Sequence, residues 1–373
     1  MAGIYIHMPF CHSKCHYCDF YSLPRLELRS KYVASLIREL EIQLNNPEWN
    51  NLKWETIYIG GGTPSLLPKE ELLRITETLP LENVNEFTIE ANPEDVTPDW
   101  VDTVLSAGID RVSIGIQSLN DSELHNVGRR HTSEQAIEAL NCLRSGGIKN
   151  ISADLIYGLP GQTIESWRRS VTRLMEFNPE HISSYALSYE PGTKLYARRM
   201  SGKIAETDED IIDSMYHYLI AMAEEHGYDH YEISNFGKPD YHSRHNSSYW
   251  TFTPYLGIGV AAHGFIGDKR YANPWNINKY IDSINKGNLV AEIETLSVND
   301  VYNEYIMTAL RTSKGVSYGR LEELTNKSHL EDFKNKAIPF LKNQSLDITH
   351  SGVRIPEDRW LISDAIIREL MIV

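Results

Sequence analysis

Between residues 4 and 226 the chain alternates two hydrophobic periods. The short β-rich runs IYIHM (4–8), TIYIG (56–60), FTIEA (87–91), RVSIGI (111–116), ISADLIYG (151–158) and HISSYAL (181–187) read as strands. The segments between them repeat apolar residues at helical spacing. The first, 32–44, carries Val33, Leu36, Ile37, Leu40 and Leu44 on one stripe; the others cover 69–79, 98–107, 133–145, 163–177 and 208–226. Thr97-Pro98 and Thr163 are suited to start helices, and Gly108, Gly146 and Gly227 to stop them. Each crossover helix returns the chain to the same end of the sheet, so this alternation predicts a parallel sheet. Doubly wound sheets and barrels share the pattern. Six regular units without a GxGxxG turn favour an open barrel.

Past residue 228 the pattern changes. Residues 229–298 are rich in Tyr, His, Asn, Gly and Pro and read as irregular structure with short strands. A new helical pattern begins at Val298, with further helices near 317–325 and 329–342. The runs LDITH and GVRIP then flank Ser351-Gly352 as a hairpin, and a helix closes the chain over 364–370. The fold class expected is α/β: a partial (β/α)6 barrel over 1–228, an irregular extension over 229–298 and a winged-helix-like α+β domain over 299–373.

Charge removes the usual meaning of that last domain. Residues 299–373 hold 10 Lys/Arg against 11 Asp/Glu, and the whole chain of 373 residues is at −15, so no basic face for nucleic acid is expected. The longest apolar run, 255–266, is too short for a membrane span and contains His263 and three glycines. The start, MAGIYIHMPFC, has no basic segment followed by an apolar stretch, which predicts a cytoplasmic protein.

Only four cysteines are present, and Cys11, Cys15 and Cys18 fall within eight residues just past the first strand. Cys142 lies apart, in a helix with Leu140 and Leu143, and reads as core packing. Thiolates are soft ligands that select zinc, Cu(I) or iron–sulfur clusters. A structural zinc completed by His7, His12 or His16 is one reading. The other is a cubane cluster, in which three thiolates leave one iron open for chemistry. Barrels place their chemistry at the carboxyl ends of strands, and those ends are polar here. Strand two runs into Gly60-Gly61-Gly62-Thr63-Pro64, strand three ends at Glu90, strand four at Gln117, and strand five carries Asp154. Carboxylates suit an ammonium or ribose hydroxyls, amides suit hydroxyls or adenine edges, and glycines let backbone approach a ligand.

The run PFCHSKCHYCDF resembles the CxxxCxxC signature of the radical S-adenosylmethionine (SAM) family. The resemblance implies a [4Fe-4S] cluster on Cys11, Cys15 and Cys18, with SAM chelating the open iron. GGGTP resembles that family's motif for the SAM amino group. IEANP, SIGIQS, LHNVGRRH and DLIYGLPGQT extend the likeness over roughly residues 3–310, to the branch of oxygen-independent coproporphyrinogen III oxidases. There Tyr5, Gly61, Gly62, Thr63, Glu90, Gln117, Arg129 and Asp154 match SAM-contacting positions, with Arg129 supplying a cation near the SAM carboxylate.

Two departures move the expectation from oxidase to carrier. The oxidases carry a further cysteine two residues after the third, where this chain has Phe20, and they carry a long N-terminal arm, where this chain has ten residues ahead of Cys11. Both features, and the HNxxYW motif at His245-Asn246-Ser247-Ser248-Tyr249-Trp250, resemble the HemW family of haem chaperones. That resemblance implies haem as cargo, recipient haemoproteins such as respiratory enzymes, membrane-bound ones among them, and a cluster-dependent homodimer. His245 is the first candidate for the haem iron, with Tyr249 and Trp250 covering the macrocycle; His242 and His263 follow. The alternative is a radical enzyme that oxidatively decarboxylates coproporphyrinogen III or acts on another tetrapyrrole.

Overall fold

A computed structural model describes residues 2–372. Strands β1 (Ala2–Met8), β2 (Trp54–Gly61), β3 (Glu86–Ala91), β4 (Arg111–Gln117), β5 (Asn150–Tyr157) and β6 (His181–Ala186) are the six expected, each within two residues of its sequence-based bounds. They pair in parallel, in sequence order, as an open barrel. The crossovers are helices α1 (Arg29–Leu44), α2 (Lys69–Thr76), α3 (Pro98–Ser106), α4 (Asp121–Asn126), α5 (Ser133–Gly146) and α6 (Ile164–Phe177), followed after β6 by α7 (Lys194–Met200) and α8 (Glu209–Glu225). Thr97 caps α3 by accepting from the Trp100 amide, and Thr163 opens α6 with a capping box. α5 ends one glycine later than expected, at Gly147, where φ is +104°.

Strands buried on both faces of a parallel sheet are usually apolar throughout. These strands alternate instead. Ile4, Ile6 and Met8 of β1 turn outward with Ile57, Ile59, Ile89, Val112, Ile114 and Ile151, and the helices pack over them through Tyr32, Val33, Leu36, Leu40, Leu140 and Trp167. The opposite set on the same strands is Tyr5, His7, Tyr58, Thr88, Glu90, Arg111, Ser113, Asp154, His181 and Ser183. Side chains one residue apart face opposite ways, so the barrel interior is polar.

The segment expected to be irregular extends this sheet at both edges. β7 (Asp229–Glu232) and β8 (Asn235–Gly237) continue it antiparallel beyond β6. Helix α9 (Arg244–Trp250) follows, and then β9 (Tyr255–Ile258) pairs in parallel with β1, giving seven parallel strands rather than six. β10 (His263–Ile266), β11 (Lys269–Ala272) and β12 (Glu292–Thr295) add antiparallel strands beyond β9, and α10 (Ile277–Asn285) packs on α1. These strands have at most four residues each, too short for a period, and the pairings that join them to the barrel, β8 with β6 and β9 with β1, are distant in sequence.

The remaining elements are α11 (Val298–Ala309), β13 (Val316–Ser317), α12 (Tyr318–Leu324), α13 (Lys327–Lys342), β14 (Asp347–Ile348), β15 (Gly352–Arg354) and α14 (Ser363–Leu370). The three strands form a small antiparallel sheet, β13-β15-β14, beside the helices. Their core is Tyr302, Ile306, Leu321, Phe333, Trp360 and Leu370. It also takes in Phe252 and Phe265 from the preceding segment.

Candidate functional site

The segment carrying the cysteines leaves β1 and is pinned along its length. Leu23 N–H donates to Pro9 C=O at 2.6 Å and Cys11 N–H to Leu23 C=O at 3.2 Å, closing the base of the loop. Its middle is held from the far side of the barrel, where His16 N–H donates to Val127 C=O at 2.9 Å and Leu195 N–H to His16 C=O at 2.8 Å. The glycines after β2 allow the close fit at its root. A Cβ on Gly62 would stand 2.7 Å from Phe10 O and 2.9 Å from Met8 O, and Gly61, at φ +114°, would place one 2.6 Å from the His7 ring. Without side chains there, the Gly62 amide donates to Met8 C=O at 2.7 Å.

One cavity of about 470 Å³ gathers nearly all of the candidate residues. Cys11, Cys15 and Cys18 line it together with Gly61, Gly62, Thr63, Glu90, Gln117, Arg129 and Asp154. These come from the cysteine loop, the carboxyl ends of β2 to β4, the body of β5 and the segment after α4. Gln117 turns at φ +66°, an αL conformation that a bulky side chain adopts only under constraint. Tyr5 is the exception among the residues expected to contact SAM. It does not line the cavity; its ring lies 6.2 Å from that of Tyr58, and its hydroxyl meets His7 Nδ1 at 3.0 Å. His7 Nε2 stands 2.9 Å from Tyr21 C=O, so that nitrogen carries the proton and the Tyr5 hydroxyl donates to Nδ1. Burial, before any other cause, brings His7 down to about 4, which keeps it neutral.

The carboxylates are tuned by their surroundings. Burial raises Glu90 to about 7, against the Tyr58 hydroxyl donating to Oε1 at 2.8 Å and the Gly61 amide donating to Oε2 at 3.0 Å. Burial likewise raises Asp154 to about 6, opposed by Ser183, Arg111 and Ser113, whose hydroxyl lies 3.1 Å from each carboxylate oxygen. Both are carboxylates that a cationic ligand would ionise fully. Arg129 reaches across the cavity, with Nη2 donating to Asn92 Oδ1 at 2.8 Å and Gly115 C=O at 2.5 Å, and Nη1 lying 3.7 Å from Cys15 Sγ.

All three cysteines are free of disulfides. Burial pushes Cys18 up to about 11 and raises Cys11, so both are protonated thiols at neutral pH and lose their protons on binding a metal. Among the described residues no group of three or more His, Cys, Asp or Glu side chains is gathered around a single point. Three thiols without disulfides, lining one cavity together with the carboxylates of Glu90 and Asp154, are a donor set of the kind that fits a three-cysteine cluster with one ligand-accessible iron.

Several residues of this site were not singled out in the sequence. Asn92, just past β3, anchors Arg129, Tyr58 holds Glu90, and Ser113 and Ser183 flank Asp154; the alternation of polar residues on β2 to β6 is the signal for the last three. Arg111 is 1% exposed at the foot of β4, with Nε and Nη1 lacking any acceptor.

His245 is placed differently from an imidazole offered to a ligand. It is fully buried on α9, with Nδ1 2.9 Å from Thr56 Oγ1, Nε2 2.8 Å from the Tyr249 hydroxyl and its ring 5.2 Å from that of Tyr58. Burial, then the charge of Arg111, lowers it to about 3. Glu86 accepts from the Arg244 amide at 2.7 Å and the His245 amide at 2.9 Å, fixing the start of α9. The next residue, Asn246, lines the cavity. His242 stacks on Tyr231 at 4.2 Å and pairs with Asp229.

Residues 5–174 match the Radical SAM superfamily. The heme chaperone HemW of Lactococcus lactis subsp. lactis (strain IL1403) is 36% identical over 347 residues, which cover 92% of this chain and 89% of that protein. HemW of Bacillus subtilis (strain 168) is 33% identical over 367 residues, covering 94% and 96%. The chain belongs to the HemW family. HemW of Mycobacterium tuberculosis (strain ATCC 25618 / H37Rv) extends the similarity to 99% of this chain at 32% identity. Among solved structures, coproporphyrinogen III oxidase (HemN) of Escherichia coli, a radical SAM enzyme, superposes with a TM-score of 0.82 over 99% of this chain and 90% of its own, at 24% identity. That match shows a shared fold. The HemW relatives and the HemN superposition together bear out the partial radical SAM barrel followed by a C-terminal domain.

Proposed function

We propose that this chain binds haem and passes it to recipient haemoproteins, respiratory enzymes and membrane-bound partners among them. In this reading it carries a [4Fe-4S] cluster on Cys11, Cys15 and Cys18 with SAM on the open iron. The observation that carries the proposal is the single cavity in which three free thiols face Glu90, Gln117, Arg129 and Asp154, in a chain of the HemW family. The cluster supplies an open iron and an electron when bound. The protein's own residues bind and orient the co-ligand. The Gly61–Thr63 backbone and ionised Glu90 receive an ammonium, Arg129 faces a carboxylate, and Asp154 with Ser113 and Ser183 suits ribose hydroxyls. Tyr5 acts behind this wall, through His7 and Tyr58.

The test is anaerobic reconstitution with iron and sulfide. The protein should turn brown with broad absorbance near 400 nm, bind haem saturably and pass it to an apo-haemoprotein. Conversion of coproporphyrinogen III to protoporphyrinogen IX would instead make it a radical oxidase. Zinc without iron or sulfide would make it a structural metal module. A cluster-dependent homodimer belongs to the same proposal, and sedimentation before and after cluster removal tests it.

A further inference from the structure

The structure contains a free imidazole where a macrocycle can reach it, and it is not that of His245. β10 folds back over the inward side of β9, so closely that a Cβ on Gly257 would lie 1.8 Å from the His263 carbonyl oxygen. Gly257 in turn pairs with Tyr5 of β1, which brings His263 beside Tyr5 and His7 at the inner edge of the barrel. Its side chain is exposed and makes no hydrogen bond among the described residues. Partial burial, then the charge of Arg270, lowers its pKa, which keeps the ring neutral and able to ligate.

Two large aromatic side chains left in solvent lie around Tyr21, whose carbonyl meets His7 at this edge. Asn273 N–H donates to Ala262 C=O at 2.8 Å, next to His263. Two residues further along the chain is Trp275, 61% exposed, edge-on to Tyr21 at 5.9 Å. Trp275 follows Ala272, the partner of His263, by three residues, a chain length of at most about 11 Å. Phe20, 64% exposed and next to Tyr21, lines the cavity. Lys14, on the same loop, also lines it and has no ion-pair partner among the described residues. An exposed imidazole, two uncovered aromatics and an unpaired ammonium match the iron, the apolar ring and the carboxylates of one kind of ligand.

Resting on the haem reading above, we propose that His263 is the axial ligand of haem held at the cavity mouth, with Trp275 and Phe20 covering the macrocycle and Lys14 facing a propionate. His245 then acts as a strut that holds α9 in place.

Haemin titration of the full chain, followed at the Soret band, tests this with His263→Ala, His12→Ala, His245→Ala and Trp275→Ala. His263→Ala should lose the imidazole-ligated spectrum and at least about tenfold in affinity, and free imidazole should restore the spectrum. Trp275→Ala should weaken binding without changing the ligation spectrum. Three outcomes overturn the assignment: a wild-type spectrum in His263→Ala, a loss that imidazole does not restore, or imidazole rescue at His12→Ala or His245→Ala instead. Absence of saturable haem binding by the wild type would reject the haem reading itself, which separates the two failures.

Discussion

Glu90 shows how one residue ties the stability of the chain to its ligand. Between about 4.5 and about 7 the folded chain keeps a proton on Glu90 that the unfolded chain has released, so stability falls as pH rises through that window. Asp154 adds a smaller slope of the same sign up to about 6. Glu90→Gln should therefore flatten the dependence and stabilise the unliganded protein at pH 8 by up to roughly 3 kcal/mol, less the loss at the Gly61 amide. Urea unfolding at pH 5 and pH 8 measures this; an unchanged slope would refute it. A cation bound at Glu90 would release the same proton, so SAM affinity should rise with pH over that range in the wild type and not in the variant. Cys18 leads to a matching expectation for the metal. Its thiol must deprotonate from about 11, so cluster assembly should release protons and proceed further at pH 8.5 than at pH 6.5, read by iron content. Cys15→Ala should lose the cluster and keep the melting temperature of the apoprotein, because none of the three thiols belongs to the main apolar core.

At the scale of elements, α9 is the least self-sufficient part of the site. It has seven residues and stands on a buried carboxylate from β3 rather than on its own propensity. Glu86→Ala removes the acceptor of two amides and of the Ser243 hydroxyl and should cost about 2–4 kcal/mol. Amide hydrogen exchange should then rise across 243–250 while β1 to β5 stay protected. Uniform exchange throughout would mean that the helix is held by its other contacts. The motif that marks this helix is legible as a sequence pattern, but its role is not. The histidine and tyrosine look like ligands in the chain, and in the fold Thr56 occupies Nδ1 of the imidazole and Tyr249 its Nε2. The cysteine loop was more transparent, because three soft ligands in eight residues have few other uses. Its dependence on Gly62 arises from Phe10 and Met8, whose carbonyls the fold sets against that glycine; Gly62→Ala should displace that loop and lower iron incorporation.

Across the whole molecule the two cores are joined. His230 of β7 stacks on Phe236 at 4.1 Å and lies 4.4 Å from Trp360, which is 1% exposed in the C-terminal core. Trp360→Ala should cost about 3–5 kcal/mol and lower the melting of the entire chain in one transition. Calorimetry showing an unchanged barrel transition beside a lost smaller one would separate the cores. The HemN superposition covers 99% of this chain, so the shared fold takes in the segments of both cores.

The amino-acid sequence by itself determined the six β/α units, the polar carboxyl ends of their strands and the cysteine loop that begins the site. Each of these is written locally, in periods of two and 3.6 residues or in the spacing of ligand atoms. Only the tertiary structure decided the rest. The seventh parallel strand reaches β1 from more than 240 positions away, Arg129 crosses to Cys15, and His245 is enclosed while His263 is left open. Contacts between residues distant in the chain leave no period behind. They follow from closing a polar-lined sheet around a cavity and covering its edges with whatever segment comes next.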